Sequence, residues 1–200
     1  LCQEYGQYYD MNVGIFRCGC VTGAKHAAVE LHGFLSYLVH CATNNKPYTI
    51  WGYKGKQTRD IIHSSDLVDM FWHFYQFPKK GKTYNAGGGR RNSISILEAI
   101  DKINRIAAIQ YNNYTVSDNN RKGDHVWYIS NYDRFSRDYP EWSQKYNIDD
   151  MLDIYGFHKS YIKDYKNLCI EAVKRSLNYN QINGVKSKKF LKDFNNLLFD

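Results

Sequence analysis

The sequence predicts an α/β protein. Short apolar runs that end in glycine or turn residues alternate with segments whose apolar residues recur every three to four positions. Apolar residues make up 43% of the 200 positions, enough for one core and a small appendage. The order of strands in the sheet cannot be read from spacing.

Taken in order, "LCQEYGQYYDMN" reads as the end of a helix that runs straight into a core strand, as at the start of a fragment. The runs "MNVGIFRCGCVTG", "KPYTIWG", "TRDIIH" and "KTYNAGGG" read as strands, each bounded by turn residues. Between them, "ELHGFLSYLVHCAT" and "DLVDMFWHFYQF" read as helices, the second with an apolar face of Leu67, Val68, Phe71, Phe74 and Tyr75. Ser95 and Glu98 form an S-x-x-E capping box before Ile96, Leu97, Ile100 and Ile103, which predicts a helix to about Ile109. "YNNYTV" returns as a strand, "VWYIS" is a short one, and helices follow around "YDRFSRDY" and from Ile148. After Tyr155 the chain turns rich in Lys, Asn and Tyr, so residues 1–156 are expected to form the folded body and 157–200 a basic helical extension.

The net charge of +7 is unevenly spread: residues 1–156 hold 18 basic and 16 acidic side chains, residues 157–200 hold 9 and 4. A nucleic-acid module would concentrate Lys and Arg on its folded face, so no nucleic-acid partner is expected for the body. No apolar run reaches the roughly 18 residues that a membrane span needs, and no membrane partner is expected. Cys2, Cys18, Cys20, Cys41 and Cys169 are odd in number, without a Cys-x-x-Cys pair or a His at ligand spacing. They read as reduced thiols of a cytoplasmic protein, and no metal site is expected.

In "GKQTRDIIHSSDLV" an Arg-Asp pair abuts Ile61 and Ile62. A charge entering a buried strand costs several kcal/mol unless it is paired, so Arg59 and Asp60 each need a partner or a task. An anion is the candidate for Arg59, and a fold-stapling pair with Asp60 or Asp66 is the alternative. Asp66 suits the first turn of the helix that follows, where the dipole favours an acid. Two look-alike motifs fail on local grounds. Tyr75 and Lys79 have the Tyr-x-x-x-Lys spacing, but Pro78 lies between them at a helix end. Gly87–Gly89 follows a strand as phosphate loops do, but lacks the G-x-G-x-x-G spacing, so a wide turn is expected.

The runs "FRCGCVTGAKHAAVELHGFLSYLV", "GYKGKQTRDIIHSSDLV", "YNAGGGRRNSISILEAI" and "NRKGDHVWYIS" resemble, in order and spacing, part of a known family. The resemblance is to the C-terminal half of extended short-chain dehydrogenase/reductases acting on nucleotide sugars, and within them to the CDP-paratose 2-epimerase (CDP-tyvelose epimerase) group. It covers residues 1 to 155. It implies a Rossmann-type fold whose N-terminal half, with the glycine-rich fingerprint that holds most of the NAD, lies upstream, and a substrate-binding subdomain here. The catalytic Tyr-x-x-x-Lys would end a few residues before Leu1, so no catalytic residue is assigned in this chain, and alone it is expected to be inactive.

By the same resemblance the partner is a nucleotide-diphosphate sugar, with homo-oligomerisation left open. Arg59 and Arg121 would reach the diphosphate, with Asp124 orienting the latter, although a surface turn also explains "NRKGDH". Gln57, Asn85 and Arg90 would face that pocket, and Glu30 and His32 would touch the sugar. Arg17, Cys18 and Gly19 would pass the nicotinamide, while Cys20 departs from the Asn that many relatives carry there. The implied chemistry is inversion of a sugar carbon by transient oxidation and re-reduction. A 4,6-dehydratase or 4-epimerase of the same superfamily and a non-catalytic nucleotide-sugar-binding module are the alternatives.

Overall fold

The structure is a computed structural model, and it describes residues 1–23, 26–30 and 33–154. Helix α1 (Cys2–Tyr8) leads into β1 (Gly14–Cys18), and β2 (Cys20–Thr22) starts after a single glycine. Then come α2 (Phe34–Thr43), β3 (Tyr48–Trp51), β4 (Thr58–His63), α3 (Ser64–Gln76) and β5 (Lys82–Ala86). The second half holds β6 (Ser93–Ser95), α4 (Ile96–Ala107), β7 (Tyr114–Ser117), β8 (Trp127–Tyr128), α5 (Asp133–Asp138) and α6 (Ile148–Ile154). The expected extension over 157–200 lies outside the described residues.

The first strand differs from its sequence reading, because "MNVGIFRCGCVTG" is broken at Gly19 into two strands with different partners. β1 pairs in parallel with β5, while β2 pairs in parallel with β4. The break is stereochemical: the Gly19 N–H donates to the Ala86 carbonyl at 2.9 Å, and a Cβ on Gly19 would stand 2.9 Å from Asp60 Oδ1. A similar constraint explains Gly87–Gly89. A Cβ on Gly88 would lie 2.0 Å from the Ile61 carbonyl oxygen, so this turn packs bare backbone on β4.

β4 is the hub. β6 runs antiparallel to it and β8 parallel, while β3 and β7 form a separate parallel pair. Side chains alternate across a strand. Ile61 accordingly enters a core with α2, β3, α4 and α6, whereas Ile62 enters one with Leu67, Met70, Tyr84, Phe135, Tyr139 and Trp142.

Helix α4 begins as expected: Ser95 Oγ accepts from the Glu98 N–H, and Glu98 Oε2 accepts from the Ser95 N–H. It ends at Ala107, two residues early, because Ala108 turns left-handed at φ 51° and the Asn104 side chain binds the Tyr111 backbone. Helix α3 differs more. Leu67 and Met70 are buried, but Val68, Phe71 and Tyr75 are exposed, so the apolar residues spread round the helix instead of forming one inward face.

His63 caps α3 by accepting the Ser65 N–H at 3.2 Å, and its ring lies 4.1 Å from that of Tyr146. Burial holds its pKa down at about 4, against an ordinary 6.5, with nearby Asp150 opposing the shift. Between these values the unfolded chain binds the proton and the native state does not. Stability is therefore complete above about pH 6.5 and falls as the pH drops, by about 2 kcal/mol at pH 5. Urea unfolding at pH 5 and 7.5 is expected to show this loss in the wild type and a smaller one in His63→Asn, which keeps a cap acceptor. Equal losses in both would contradict the assignment.

Candidate functional site

Three acids near β4 have separate tasks. Asp60 is fully buried, and its Oδ2 accepts the N–H groups of Gly89 and Ser130, both at 2.9 Å. Asp66, also fully buried, accepts the N–H groups of Lys145 and Tyr146 at 3.1 and 3.2 Å. It does more than face a helix dipole, since it fixes the segment leading into α6. Burial pushes its pKa up and these two hydrogen bonds offset part of the rise. The third acid, Asp124, is the ion-pair partner of Arg59. This departs from the expectation that Asp124 orients Arg121, and from an Arg59 pair with Asp60 or Asp66.

Arg59 lies in a cleft lined by Phe34, Tyr48, Trp51, Gln57, Arg121 and Asp124, among others. Nη1 of Arg59 donates to the Thr58 carbonyl at 2.9 Å, and Nη2 donates to Asp124 Oδ1. The turn between β3 and β4 sets Gln57 and Arg59 in place. It holds Gly52, Tyr53, Lys54 and Gly55 at positive φ, which strains Tyr53 and Lys54, and it packs closely: a Cβ on Gly52 would lie 1.7 Å from Asn120 Oδ1. Gln57 Nε2 donates to the Trp51 carbonyl at 3.1 Å, which fixes the amide. The cavity encloses about 80 Å³. Pockets that take a whole drug-sized ligand run to roughly 300–1,000 Å³, so this one suits a phosphate-sized group.

Gln57, Arg59, Arg121 and Asp124 thus come together, and the other expected residues do not line this cleft. Asn85 stands opposite Arg17 in the β1–β5 pair and donates to the Asn131 carbonyl at 3.1 Å. Arg90 is exposed in the 3-10 turn after the glycine run, and Glu30 is exposed in the loop before α2. His32 lies outside the described residues. Arg17 and Cys18 are exposed at the carboxyl end of β1, with Gly19 beneath them against Asp60. Burial pushes the Cys20 thiol up, which disfavours thiolate chemistry there. The decoy pair separates, since α3 ends at Gln76 and Lys79 Nζ bonds Asp138 at 3.3 Å. Among the described residues no group of three His, Cys, Asp or Glu side chains is placed to hold a metal ion, and no helix is long and apolar enough to cross a membrane.

Sequence reasoning missed Phe34, Tyr48, Thr49, Trp51 and Ile96. Thr49 and Trp51 had a signal, because two residues apart on a strand leading to the Arg59 turn they share a face.

Residues 1–87 match the model of the NAD dependent epimerase/dehydratase family. The matched residues include Gln57, Arg59 and the whole of β1 to β5. Over 102 residues, 48% of this chain and 30% of the relative, the chain is 30% identical to CDP-paratose 2-epimerase of Salmonella typhi. Solved structures share the fold at lower identity. UDP-glucuronic acid 4-epimerase from Bacillus cereus, solved with UDP-glucuronic acid and NAD, matches at TM-score 0.65 and 22% identity over 82% of this chain and 49% of its own. UDP-glucose 4-epimerase from Thermotoga maritima matches at 0.66 and 17%, over 80% and 49%. The dTDP-glucose 4,6-dehydratase of Bacillus anthracis, solved with NAD, matches at 0.63 and 21%, over 76% and 45%. The chain spans about half the length of these solved relatives, and less than a third of the curated one.

Proposed function

We propose that this chain forms the nucleotide-sugar side of an NAD-dependent epimerase resembling CDP-paratose 2-epimerase. The convergence of Arg59 and Arg121 on one cleft, beside Gln57, carries the reading. Two guanidinium groups can grip adjacent phosphates through paired, charge-assisted hydrogen bonds, with a geometry that lysine does not offer. The cleft size fits one phosphate group, leaving the rest of the sugar nucleotide to extend beyond it. Similarity to the Salmonella typhi enzyme supports the CDP-sugar and the 2-epimerase assignment.

NAD, when bound, supplies hydride acceptance and return. Arg17, Cys18 and Gly19 are suited to hold its edge, because they lie at the carboxyl end of a parallel strand pair, where ligands of open α/β sheets gather. In this reading the chain's own residues bind and orient the sugar nucleotide, and the proton-transferring Tyr and Lys belong to another part of the protein. A 4,6-dehydratase or 4-epimerase is the second reading, favoured by solved relatives of both kinds.

Incubating the protein that carries this chain with CDP-paratose and NAD is expected to give CDP-tyvelose. Dehydration to a keto-sugar, or inversion at C4, would favour the second reading. Residues 1–200 alone are expected to bind CDP without turnover, and interconversion by them would contradict the division of labour.

A further inference from the structure

We propose that Asp124 is a placeholder carboxylate, seated on the Arg59 guanidinium where the ligand's diphosphate belongs, and that its displacement makes the cleft selective for multiply charged anions. The inference rests on the diphosphate reading of the cleft.

Two acids lie close to Arg59 in the fold, and they are held very differently. Asp60 is fully buried and binds two backbone N–H groups, so it cannot leave without breaking the fold. The Asp124 side chain is 24% exposed, and among the described residues its Oδ1 accepts, besides Arg59, only the neighbouring His125 N–H at 3.0 Å. It sits at the end of a tight turn closed by the Asp124 N–H donating to the Arg121 carbonyl at 3.2 Å, with Gly123 at φ +75°. A Cβ on Gly123 would meet nothing within 4 Å among the described residues, so that side of the turn faces open space.

The segment 117–126 that carries this turn is anchored at both ends outside it. The Gly52 N–H donates to the Ser117 carbonyl at 2.8 Å, and the Thr58 N–H donates to the Val126 carbonyl at 2.9 Å. β8 continues the second anchor along β4. Asp124 can therefore swing off Arg59 while β7 stays paired with β3 and β8 with β4. The main-chain link on the tip is a weak one, from the Tyr53 hydroxyl to the Asp124 carbonyl at 3.5 Å.

Charge supplies the selectivity. Arg59, Arg121 and Asp124 line the cleft together, two cations against one anion. A tethered carboxylate competes at a high effective concentration. A singly charged anion brings no more charge to Arg59 than Asp124 already does. A diphosphate brings more, and it reaches Arg121 as well. The rival view, in which Asp124 stays paired and holds Arg59 in its productive orientation, predicts the opposite sign on removing the carboxylate.

Calorimetric titration of inorganic pyrophosphate and inorganic phosphate into wild type, Asp124→Asn, Arg59→Gln and the double variant separates these views, with urea midpoints confirming that each protein is folded. Asp124→Asn is expected to bind pyrophosphate about tenfold more tightly or better, to gain measurable phosphate binding, and to lose both gains in the Arg59→Gln background. Unchanged or weaker binding in Asp124→Asn would overturn the placeholder, and if Arg59→Gln still weakened pyrophosphate, the diphosphate reading would stand. Pyrophosphate binding that ignores Arg59→Gln, or no binding by any of the four, would overturn both.

Discussion

Asp60→Ala is expected to lower the free energy of unfolding by about 3–5 kcal/mol, the size seen when a buried charged network loses its acceptor. The carboxylate is fully buried and holds the Gly89 and Ser130 N–H groups at 2.9 Å each. Each such bond to a charged group contributes about 1.5–3 kcal/mol, and removing the acceptor strands two donors away from water. The space around it is shaped for this group, since a Cβ on Gly19 or on Gly87 would reach 2.9 and 2.3 Å from its oxygens. Asp60→Asn keeps one acceptor oxygen and is expected to cost less. Urea unfolding of both variants checks the claim, and a loss below about 1 kcal/mol for Asp60→Ala would contradict it.

Much of this was legible in the sequence wherever the cause is local. The capping box at Ser95 and Glu98 is a three-residue signal, and the structure forms it. Arg59 stood out as a charge at the mouth of an apolar run, and it lies in the cleft. What could not be read depends on distant partners. Asp60 finds its acceptor role through residues 29 and 70 positions away, and Asp66 through residues 79 and 80 away. Neither separation leaves a periodic trace. The pairing of Asp124 with Arg59 spans 65 positions and needs β8 laid along β4, a two-residue strand that spacing alone does not place. The resemblance made Asn85 a pocket residue, but β5 pairs with β1, so it stands beside Arg17 and its side chain bonds the Asn131 carbonyl. The apolar set on α3 misled for a related reason, because an apolar residue at helical spacing says that a face exists and not which element covers it.

The most direct test of the proposed diphosphate site is calorimetric titration of CDP into wild type and Arg59→Lys. Lysine keeps the positive charge and loses the planar fork, and weaker charge-assisted bonds should cost about 1.5–3 kcal/mol of binding. The account predicts at least tenfold weaker CDP binding in Arg59→Lys, with an unfolding midpoint close to that of the wild type. Equal affinity in the two proteins would contradict it, leaving Arg59 as the structural ion-pair partner of Asp124.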